Sequence, residues 1–382
     1  MWTNVTTIGD LVHRHEDDAD RIALVLGDER LSYGTLARRS DETAAALLAL
    51  GVKQGDRVGV LMPNSVEYVL ALLGATKLGA IVVPVNGRFK ATEASYVVGH
   101  ADVKVLLTAS DGDGVDYPGI VHEIVEHDDA LDGVTIVDFS VQPRDGFVTA
   151  DGFWARSAEV SVDEVRVLQA RVRVRDIALL MYTSGTTAKP KGCLLTHEAV
   201  VRQGEKVART RFELTPDDAL WDPLPMFHCG GIVPMLGVFS VGAKLCHPGY
   251  FEPGPSLRVI KDERCTVLYP AFEAIWIPLV THPDFVPEEL QHVRLVQNIA
   301  TPERMEKFEA QMPWAKHVTS YGSTEGATNL TMGLADDPPE LRLRTLGPPV
   351  EGMEVKIVDP ETGERVGPGE MGELCFRGYS CF

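Results

Sequence analysis

Short apolar runs alternate along the chain with segments of helical pattern, and this alternation constrains the fold more than any other feature. The runs at residues 57–62, 80–85 and 103–107 have the length of buried strands. Helical segments lie between or before them, notably at residues 41–50 and 65–78. Strands that alternate with helices predict β-α-β units, in which helices cover both faces of a mostly parallel sheet.

The alternation weakens at residues 111–152, where acidic residues and glycines predict loop or sheet-edge structure. Beyond residue 170 it returns, with helices such as 301–311 between the strands. The further strands are predicted at residues 177–182, 219–224, 243–247, 265–269, 293–299 and 316–320.

After residue 346, turn-forming residues separate two short strands at 354–358 and 372–377, which indicates the start of a small β-barrel subdomain. We therefore predict an α/β fold of two doubly wound α/β subdomains, packed together in αβαβα layers. Their predicted ranges are 1–170 and 171–345, followed by a truncated β-barrel subdomain at 346–382.

Charge and composition exclude some partners. The 36 Lys and Arg residues stand against 55 Asp and Glu residues, for a net charge of −19, which argues against a general surface for nucleic acid or an anionic membrane. The N-terminus lacks the basic and apolar regions of a signal peptide, and the six scattered cysteines form no C-x-x-C pair. We expect a cytoplasmic protein with reduced thiols, and leave homo-oligomerisation open.

The strongest local motif is the segment Tyr-Thr-Ser-Gly-Thr-Thr-Ala-Lys-Pro-Lys-Gly at residues 182–192, directly after an apolar strand. Small residues let the backbone close around phosphate oxygens, hydroxyl and amide groups donate hydrogen bonds to them, and the lysines supply positive charge. The segment is not a Walker A loop, because Lys191 precedes Gly192. The alternative interpretation is a polar surface loop.

This segment resembles the phosphate loop of the adenylate-forming superfamily, which includes acyl-CoA synthetases, firefly luciferase and nonribosomal adenylation domains. A second segment, Ser-Tyr-Gly-Ser-Thr-Glu-Gly at residues 320–326, is similar to the adenine and metal motif of that family and follows in the family's order. A third, Pro-Met-Phe-His-Cys-Gly-Gly at residues 225–231, resembles the segment that lines the acyl pocket. By themselves, the second is equally compatible with a capped turn, and the third with a packed histidine or half of a His-Cys metal pair.

The resemblance implies a role for each matching residue. Tyr321 would stack on adenine, Thr324 would contact the α-phosphate, and Thr183 and Glu325 would bind Mg²⁺, a cation that suits carboxylate oxygens. The implied catalytic residues are Thr183, Lys191, His228 and Glu325. The implied contacts to ATP or AMP are Thr183, Ser184, Gly185, Thr186, Thr187, Lys189, Lys191, Ser320, Tyr321, Gly322, Ser323 and Thr324. The implied contacts to the acid are Met226, His228, Gln297, Asn298, Ile299 and Ala300.

The sequence also departs from the family. Ala188 stands where the family usually has glycine, and Gln297 to Ala300 replace a string of small residues beside the acyl group. Apolar residues such as Tyr269, Phe272 and Trp276 are candidate pocket walls or core. In the family, the chain continues into a ribose-binding Asp, a hinge and a small lysine-bearing domain. This chain therefore resembles the large N-terminal domain alone, which forms one AMP-binding domain. We expect it to be slow or inactive by itself.

From the resemblance we expect ATP- and Mg²⁺-dependent activation of a small-molecule carboxylic acid to acyl-AMP. The acid would be fatty, aromatic or polycyclic, and the full-length enzyme would then form a thioester with coenzyme A. One alternative is an acyl-AMP ligase that passes the adenylate to a carrier protein or a separate partner. Alternatives of other classes are a non-catalytic nucleotide-binding module and a phosphotransferase, which would release ADP.

Overall fold

The computed structural model describes residues 6–110, 113–183 and 189–381, and eighteen strands and twelve α-helices lie within these ranges. The strands are β1 (Ile22–Leu26), β2 (Glu29–Ser32), β3 (Arg57–Leu61), β4 (Ile81–Pro84), β5 (Val103–Thr108), β6 (Thr135–Asp138), β7 (Val148–Thr149), β8 (Ile177–Thr183), β9 (Lys191–Thr196), β10 (Ala219–Trp221), β11 (Lys244–His247), β12 (Val267–Phe272), β13 (Leu295–Ile299), β14 (Lys316–Val318), β15 (Ser320–Ser323), β16 (Thr328–Met332), β17 (Met353–Val358) and β18 (Glu373–Gly378). The α-helices are α1 (Tyr33–Ala49), α2 (Val66–Lys77), α3 (Ala91–His100), α4 (Tyr117–His127), α5 (Ala150–Arg156), α6 (Val162–Gln169), α7 (His197–Thr210), α8 (Cys229–Val241), α9 (Pro253–Asp262), α10 (Glu273–Val280), α11 (Pro302–Gln311) and α12 (Pro339–Arg342). Shorter 3₁₀ segments include Ile8–Asp18 and Thr324–Gly326. Within the described ranges, no helix is both long enough and apolar enough to cross a membrane.

Two seven-stranded sheets form the centre of the fold. The first has the order β7-β6-β5-β3-β4-β8-β9, and the second β14-β13-β12-β10-β11-β1-β2. Neighbouring strands are parallel except for the edge pairs β8–β9 and β1–β2. Parallel strands need crossover connections, and the helices that make them bury both faces of each sheet. The α/β prediction with two mostly parallel sheets is therefore confirmed.

Two segments cross the boundary predicted between residues 170 and 171. β1 and β2 belong to the second sheet, because β1 pairs in parallel with β11 through Leu24 and Leu245. β8 and β9 belong to the first sheet, because β8 pairs with β4 through Leu179 and Val82. Sheet membership therefore differs from the predicted ranges, and the polar loop after β8 leaves from the first sheet.

Residues 111–152, predicted as loop or sheet edge, hold regular structure in their described part. The Asp116 side chain accepts a hydrogen bond from the Gly119 amide at 2.9 Å, and Pro118 lies in the first turn of α4. A capping Asp and an early Pro start a helix there, so the loop prediction is wrong for α4. The sheet-edge prediction is confirmed, because β6 and β7 lie at the end of the first sheet.

Three predicted boundaries also shift. α1 begins at Tyr33 and not at residue 41, because the Ser32 side chain accepts from the Thr35 amide and caps the helix. β10 ends at Trp221 and not at residue 224, because the prolines that follow cannot donate to the ladder. The strand predicted at 316–320 is two strands, since β15 pairs with β16 and not with the sheet.

The segment after residue 346 forms a two-stranded antiparallel sheet, β17–β18, and the described residues contain no closed barrel. Its far end is fastened to α7. The Tyr379 hydroxyl donates to Gln203 Oε1 at 2.8 Å, and the Arg202 guanidinium lies 4.1 Å from the Tyr379 ring centroid. This sheet therefore packs onto the large domain.

Candidate functional site

The predicted site residues gather where strands of both sheets end. Thr183 ends β8, Met226 and His228 follow β10, and Gln297 lies near the end of β13. Tyr321 lies on the β15–β16 hairpin, whose first strand follows β14. Ligands of open α/β sheets bind beyond the carboxyl ends of the strands, and this is the edge where the three sequence motifs meet.

Cys193 shows that the two predicted metal-binding residues lie close together. It occupies β9, opposite Met181 on β8, and is almost fully buried. Burial chiefly raises the pKa of its thiol, the Glu325 carboxylate raises that pKa further, and a hydrogen bond with the Thr183 side chain lowers it. A single thiol thus contacts the end of the phosphate-loop strand and lies near the acidic residue of the second motif.

Cys229 makes the same connection from the acyl-pocket motif. It begins α8, and its Sγ lies 3.2 Å from the sulfur of Met181. Burial raises the pKa of Cys229 to about 12, the thiol of Cys193 and the Glu325 carboxylate add to the rise, and a hydrogen bond with Thr324 opposes it. The buried sulfur cluster formed by Met181, Cys193 and Cys229 is therefore shared by all three motifs.

The donors available near Glu325 fit a metal ion that arrives with a nucleotide. Among the described residues, no group of three or more His, Cys, Asp and Glu side chains could hold a metal ion. One carboxylate and the Thr183 hydroxyl would suffice for Mg²⁺, which proteins commonly hold through one or two carboxylates together with substrate phosphates and water. When bound, the ion would neutralise phosphate charge.

The phosphate loop is described only at its two ends, since residues 184–188 lie outside the described part of the chain. This leaves the predicted contacts Ser184, Gly185, Thr186 and Thr187 as predictions. The Lys189 ammonium lies 4.7 Å from the Tyr96 ring centroid, a cation–π contact. Lys191 is exposed and directly opposite Thr183 in the β8–β9 pair.

The adenine motif forms a tight hairpin that depends on Gly322. A Cβ at this position would overlap the Thr328 carbonyl oxygen across the hairpin, so any larger residue must push the two strands apart. Thr328 itself has a φ of 82°, in the left-handed region. Beside the glycine, Tyr321 is half-buried and packs against a large cluster of buried apolar residues. The Ser323 hydroxyl is buried with no hydrogen-bond partner among the described residues.

The loop before α8 is held by residues that the sequence analysis did not single out. Asn64 Oδ1 accepts the Met226 amide at 2.8 Å, and Asn64 Nδ2 donates to the Gly249 carbonyl at 2.8 Å. The Tyr68 hydroxyl donates to the Met226 carbonyl at 3.1 Å. Asn64 follows β3 of the first sheet and thus ties it to two loops of the second. Its position after an apolar strand was the only sequence signal.

His228 lies in front of this loop as the residue before α8. Its side chain is exposed, and the Phe227 ring lies 4.6 Å from it between centroids. Partial burial lowers the pKa of His228, and the Arg88 charge lowers it further. The imidazole is therefore favoured in its neutral form, which can accept or donate a hydrogen bond but does not neutralise an anion.

Two of the predicted acid contacts on β13, Gln297 and Asn298, are polar. Gln297 and Asn298 are fully buried, whereas Ile299 and Ala300 retain exposed surface. Gln297 Nε2 donates to Ser320 Oγ at 2.9 Å, so the first residue of the adenine motif is joined to the floor of the predicted acid pocket.

Of the apolar wall candidates, Trp276 is buried among apolar residues of the second sheet and its helices, against Phe308 and His317. Phe272 is half exposed, at 52%. The Tyr269 hydroxyl accepts a hydrogen bond from Asn329 Nδ2 on β16 at 3.1 Å. Only Tyr269 among the three is therefore bonded to the hairpin that carries the adenine motif.

Comparisons with known proteins identify the family. The profile of the AMP-binding enzyme family matches residues 11–382. The putative acyl-CoA synthetase YngI of Bacillus subtilis is 30% identical over 98% of this chain and 71% of YngI. The acyl-CoA ligase SID4 of Ajellomyces capsulatus is 31% identical over 95% of this chain, which spans 62% of SID4. The inhibitor-bound N-terminal domain of FACL13 from Mycobacterium tuberculosis superposes with a TM-score of 0.84, at 28% identity, over 98% of this chain and 90% of that one. The chain belongs to the AMP-binding enzyme family.

Proposed function

We propose that this chain carries the ATP- and acid-binding site of an acyl-CoA ligase that activates a carboxylic acid as acyl-AMP. The observation that carries the proposal is the convergence of Thr183, Thr324 and Glu325 on the buried sulfur cluster. It brings the phosphate-loop strand, the adenine motif and the acyl-pocket motif to one point. The relatives named as acyl-CoA ligases support coenzyme A as the acceptor in the full-length protein.

In the proposed reaction, a carboxylate oxygen attacks the α-phosphorus of ATP and pyrophosphate leaves. Both reactants are anionic, so positioning and charge stabilisation account for most of the catalysis. Thr324 and Lys191 would bind phosphate oxygens, and Tyr321 would stack on adenine. Thr183 and Glu325 would hold the Mg²⁺ that accompanies ATP.

We assign the carboxylate of the acid to the space beside His228, at the start of α8. The helix N-terminus presents amide hydrogens that favour negative charge, and the neutral imidazole can donate one more hydrogen bond. The acyl part would then extend toward Met226 and the polar floor at Gln297.

Exchange of labelled pyrophosphate into ATP by the full-length protein tests the first step, with a panel of carboxylic acids. We expect exchange that depends on both acid and Mg²⁺, and AMP as the nucleotide product. Glu325→Gln should reduce the exchange rate at least about hundredfold, because the Mg²⁺ that neutralises phosphate charge would lose its carboxylate ligand. The matched control Glu361→Gln removes an exposed carboxylate from a turn near β17 and should leave the rate unchanged. Formation of ADP would instead support a phosphotransferase.

A further inference from the structure

In one row across β10, β12 and β13, near the proposed acid pocket, two fully buried side chains keep an oxygen atom without a hydrogen-bond partner among the described residues. Asp222 Oδ1 accepts the Leu224 amide at 2.9 Å, but its Oδ2 has no partner. Gln297 uses its nitrogen on Ser320 and leaves its Oε1 unpaired. Both side chains are 0% exposed. Leaving such groups unpaired in a folded interior is unfavourable, so a ligand atom that pairs them would bind well.

A chain of polar side chains connects the two residues across the sheet. From Gln297 it runs through Ser320, whose hydroxyl donates to Asn329 Oδ1 at 3.0 Å. Asn329 Nδ2 then donates to the Tyr269 hydroxyl at 3.1 Å. Trp221 pairs with Leu268 in the parallel ladder of β10 and β12, so Asp222 and Tyr269, the residues that come next in sequence, lie side by side. Burial chiefly raises the pKa of Tyr269, and the carboxylate of Asp222 adds to the rise. We call Gln297, Ser320, Asn329, Tyr269 and Asp222 the polar strip.

The polar strip lies beside both segments that were predicted to line the acid. Asp222 follows β10 and precedes the Met226–His228 loop, and Gln297 begins the polar replacement on β13. β16, which carries Asn329, also contacts α8, so the strip lies next to that helix. β10 and β13 are separated only by β12, or roughly 10 Å between backbones. A hydroxyl group of an acyl chain beside this row would pair with the unpaired oxygen at either end of the strip.

The two ends of the strip offer complementary chemistry. Burial raises the pKa of Asp222 well above its ordinary value, which favours the protonated carboxyl group, and in that form Oδ2 donates a hydrogen bond. The free Oε1 of Gln297 can only accept. A hydroxyl group both accepts and donates, and therefore satisfies either end, whereas a methylene satisfies neither.

We propose that the polar strip selects a hydroxyl-bearing carboxylic acid over an unsubstituted fatty acid, with Asp222 and Gln297 as the specificity-determining residues. This proposal rests on the proposed function, because it assigns the acyl part of the adenylate to this wall. Sites built to bind a hydroxyl discriminate strongly against analogues that lack it, since their own polar groups are then left unpaired.

Calorimetric titration of the 382-residue chain with acyl-sulfamoyl adenosines tests the selection. The probes are the octanoyl compound and its positional isomers with one hydroxyl on the acyl chain. We expect at least one hydroxy isomer to bind about tenfold or more tightly than the octanoyl compound. Asp222→Leu and Gln297→Met should bring that affinity ratio close to one, and Asp222→Asn, which still donates a hydrogen bond, should retain most of it.

The matched control is Ser256→Ala on α9. This change removes a different buried polar group, a hydroxyl that also has no hydrogen-bond partner among the described residues. It should leave the ratio unchanged. If Asp222→Leu does not fold, Gln297→Met alone must lower the ratio. Equal affinity for every isomer, or a ratio that neither variant lowers, would overturn the selection while adenylate binding still supports the proposed function. Failure of all probes and of AMP to bind would instead remove the proposed function.

Discussion

Three buried histidines predict that the protein loses stability in mild acid. Burial chiefly lowers the pKa of His197 and of His247 to about 4, and that of His317 to about 3, from an ordinary value of 6.5. All three side chains are almost completely excluded from solvent. In the folded state they therefore remain neutral over a pH range in which the unfolded chain protonates them.

Hydrogen bonds give the same assignment independently for two of them. His197 Nδ1 accepts the Ile8 amide at 3.1 Å, and His247 Nδ1 accepts the Gly249 amide at 2.9 Å. A protonated nitrogen cannot accept, so protonation would break both bonds. His247 Nε2 donates to the Leu224 carbonyl at 3.0 Å, and the protonated ring keeps this bond, so protonation of His247 would break the contact with the Gly249 amide.

The direction and magnitude follow from linkage. A depressed histidine pKa means that the unfolded state binds more protons, so stability is complete above about pH 6.5 and falls as the pH drops toward the folded-state values. At pH 5 each histidine lowers the free energy of unfolding by about 2 kcal/mol relative to pH 8, and the three together lower it by about 6 kcal/mol. Domains are stable by roughly 5–15 kcal/mol, and the folded protein should therefore be marginal at pH 5.

Urea unfolding at pH 8 and pH 5, at one ionic strength, measures this difference. His317→Phe should keep its stability at pH 8, because neither ring nitrogen of His317 has a partner among the described residues and the ring packs against Trp276. At pH 5 the free energy of unfolding of His317→Phe should exceed that of the wild type by about 2 kcal/mol. The exposed His127→Gln serves as control and should behave as wild type. A wild-type difference below about 1 kcal/mol would refute the reasoning.

Three further predictions concern single positions. Gly322→Ala should weaken ATP binding at least about tenfold in calorimetry while the protein stays folded, because the overlap with Thr328 displaces the adenine hairpin locally. Asp41→Ala should lower the free energy of unfolding, measured in urea, by about 3–5 kcal/mol, since the buried Lys77 ammonium loses its ion-pair partner. The double variant with Lys77→Met should regain most of this stability, and a further loss that adds to the first would contradict the pairing. Cys229 should react slowly with maleimide at pH 7 when followed by mass spectrometry, because little thiolate forms, and fast labelling would contradict its burial.

The strands were predictable because their signals are local. Apolar runs of strand length, ended by Pro, Gly or a capping residue, placed most elements within a few residues of their observed bounds. The polar character of Gln297 and Asn298 was likewise visible in the sequence. Which sheet a strand joins was not visible, since the pairing of β1 with β11 links residues more than 200 positions apart, and no local pattern encodes such a partner.

The site shows the same division. The three motifs marked Thr183, Glu325 and His228 because their residue types and order are distinctive. Asn64 and Asp222 carried no distinctive pattern, and their roles follow only from what surrounds them after folding. Asn64 is defined by the two loops that it joins, and Asp222 by its burial beside a second unpaired polar side chain.

Calorimetric titration with ATP, with and without Mg²⁺, tests most directly that Thr183 and Glu325 form a nucleotide and metal site. We predict that Mg²⁺ strengthens ATP binding to the wild-type chain at least about tenfold, and that Glu325→Gln abolishes this difference while AMP binding persists. Absence of ATP binding at millimolar concentration, or the same Mg²⁺ dependence in Glu325→Gln as in the wild type, would contradict this prediction.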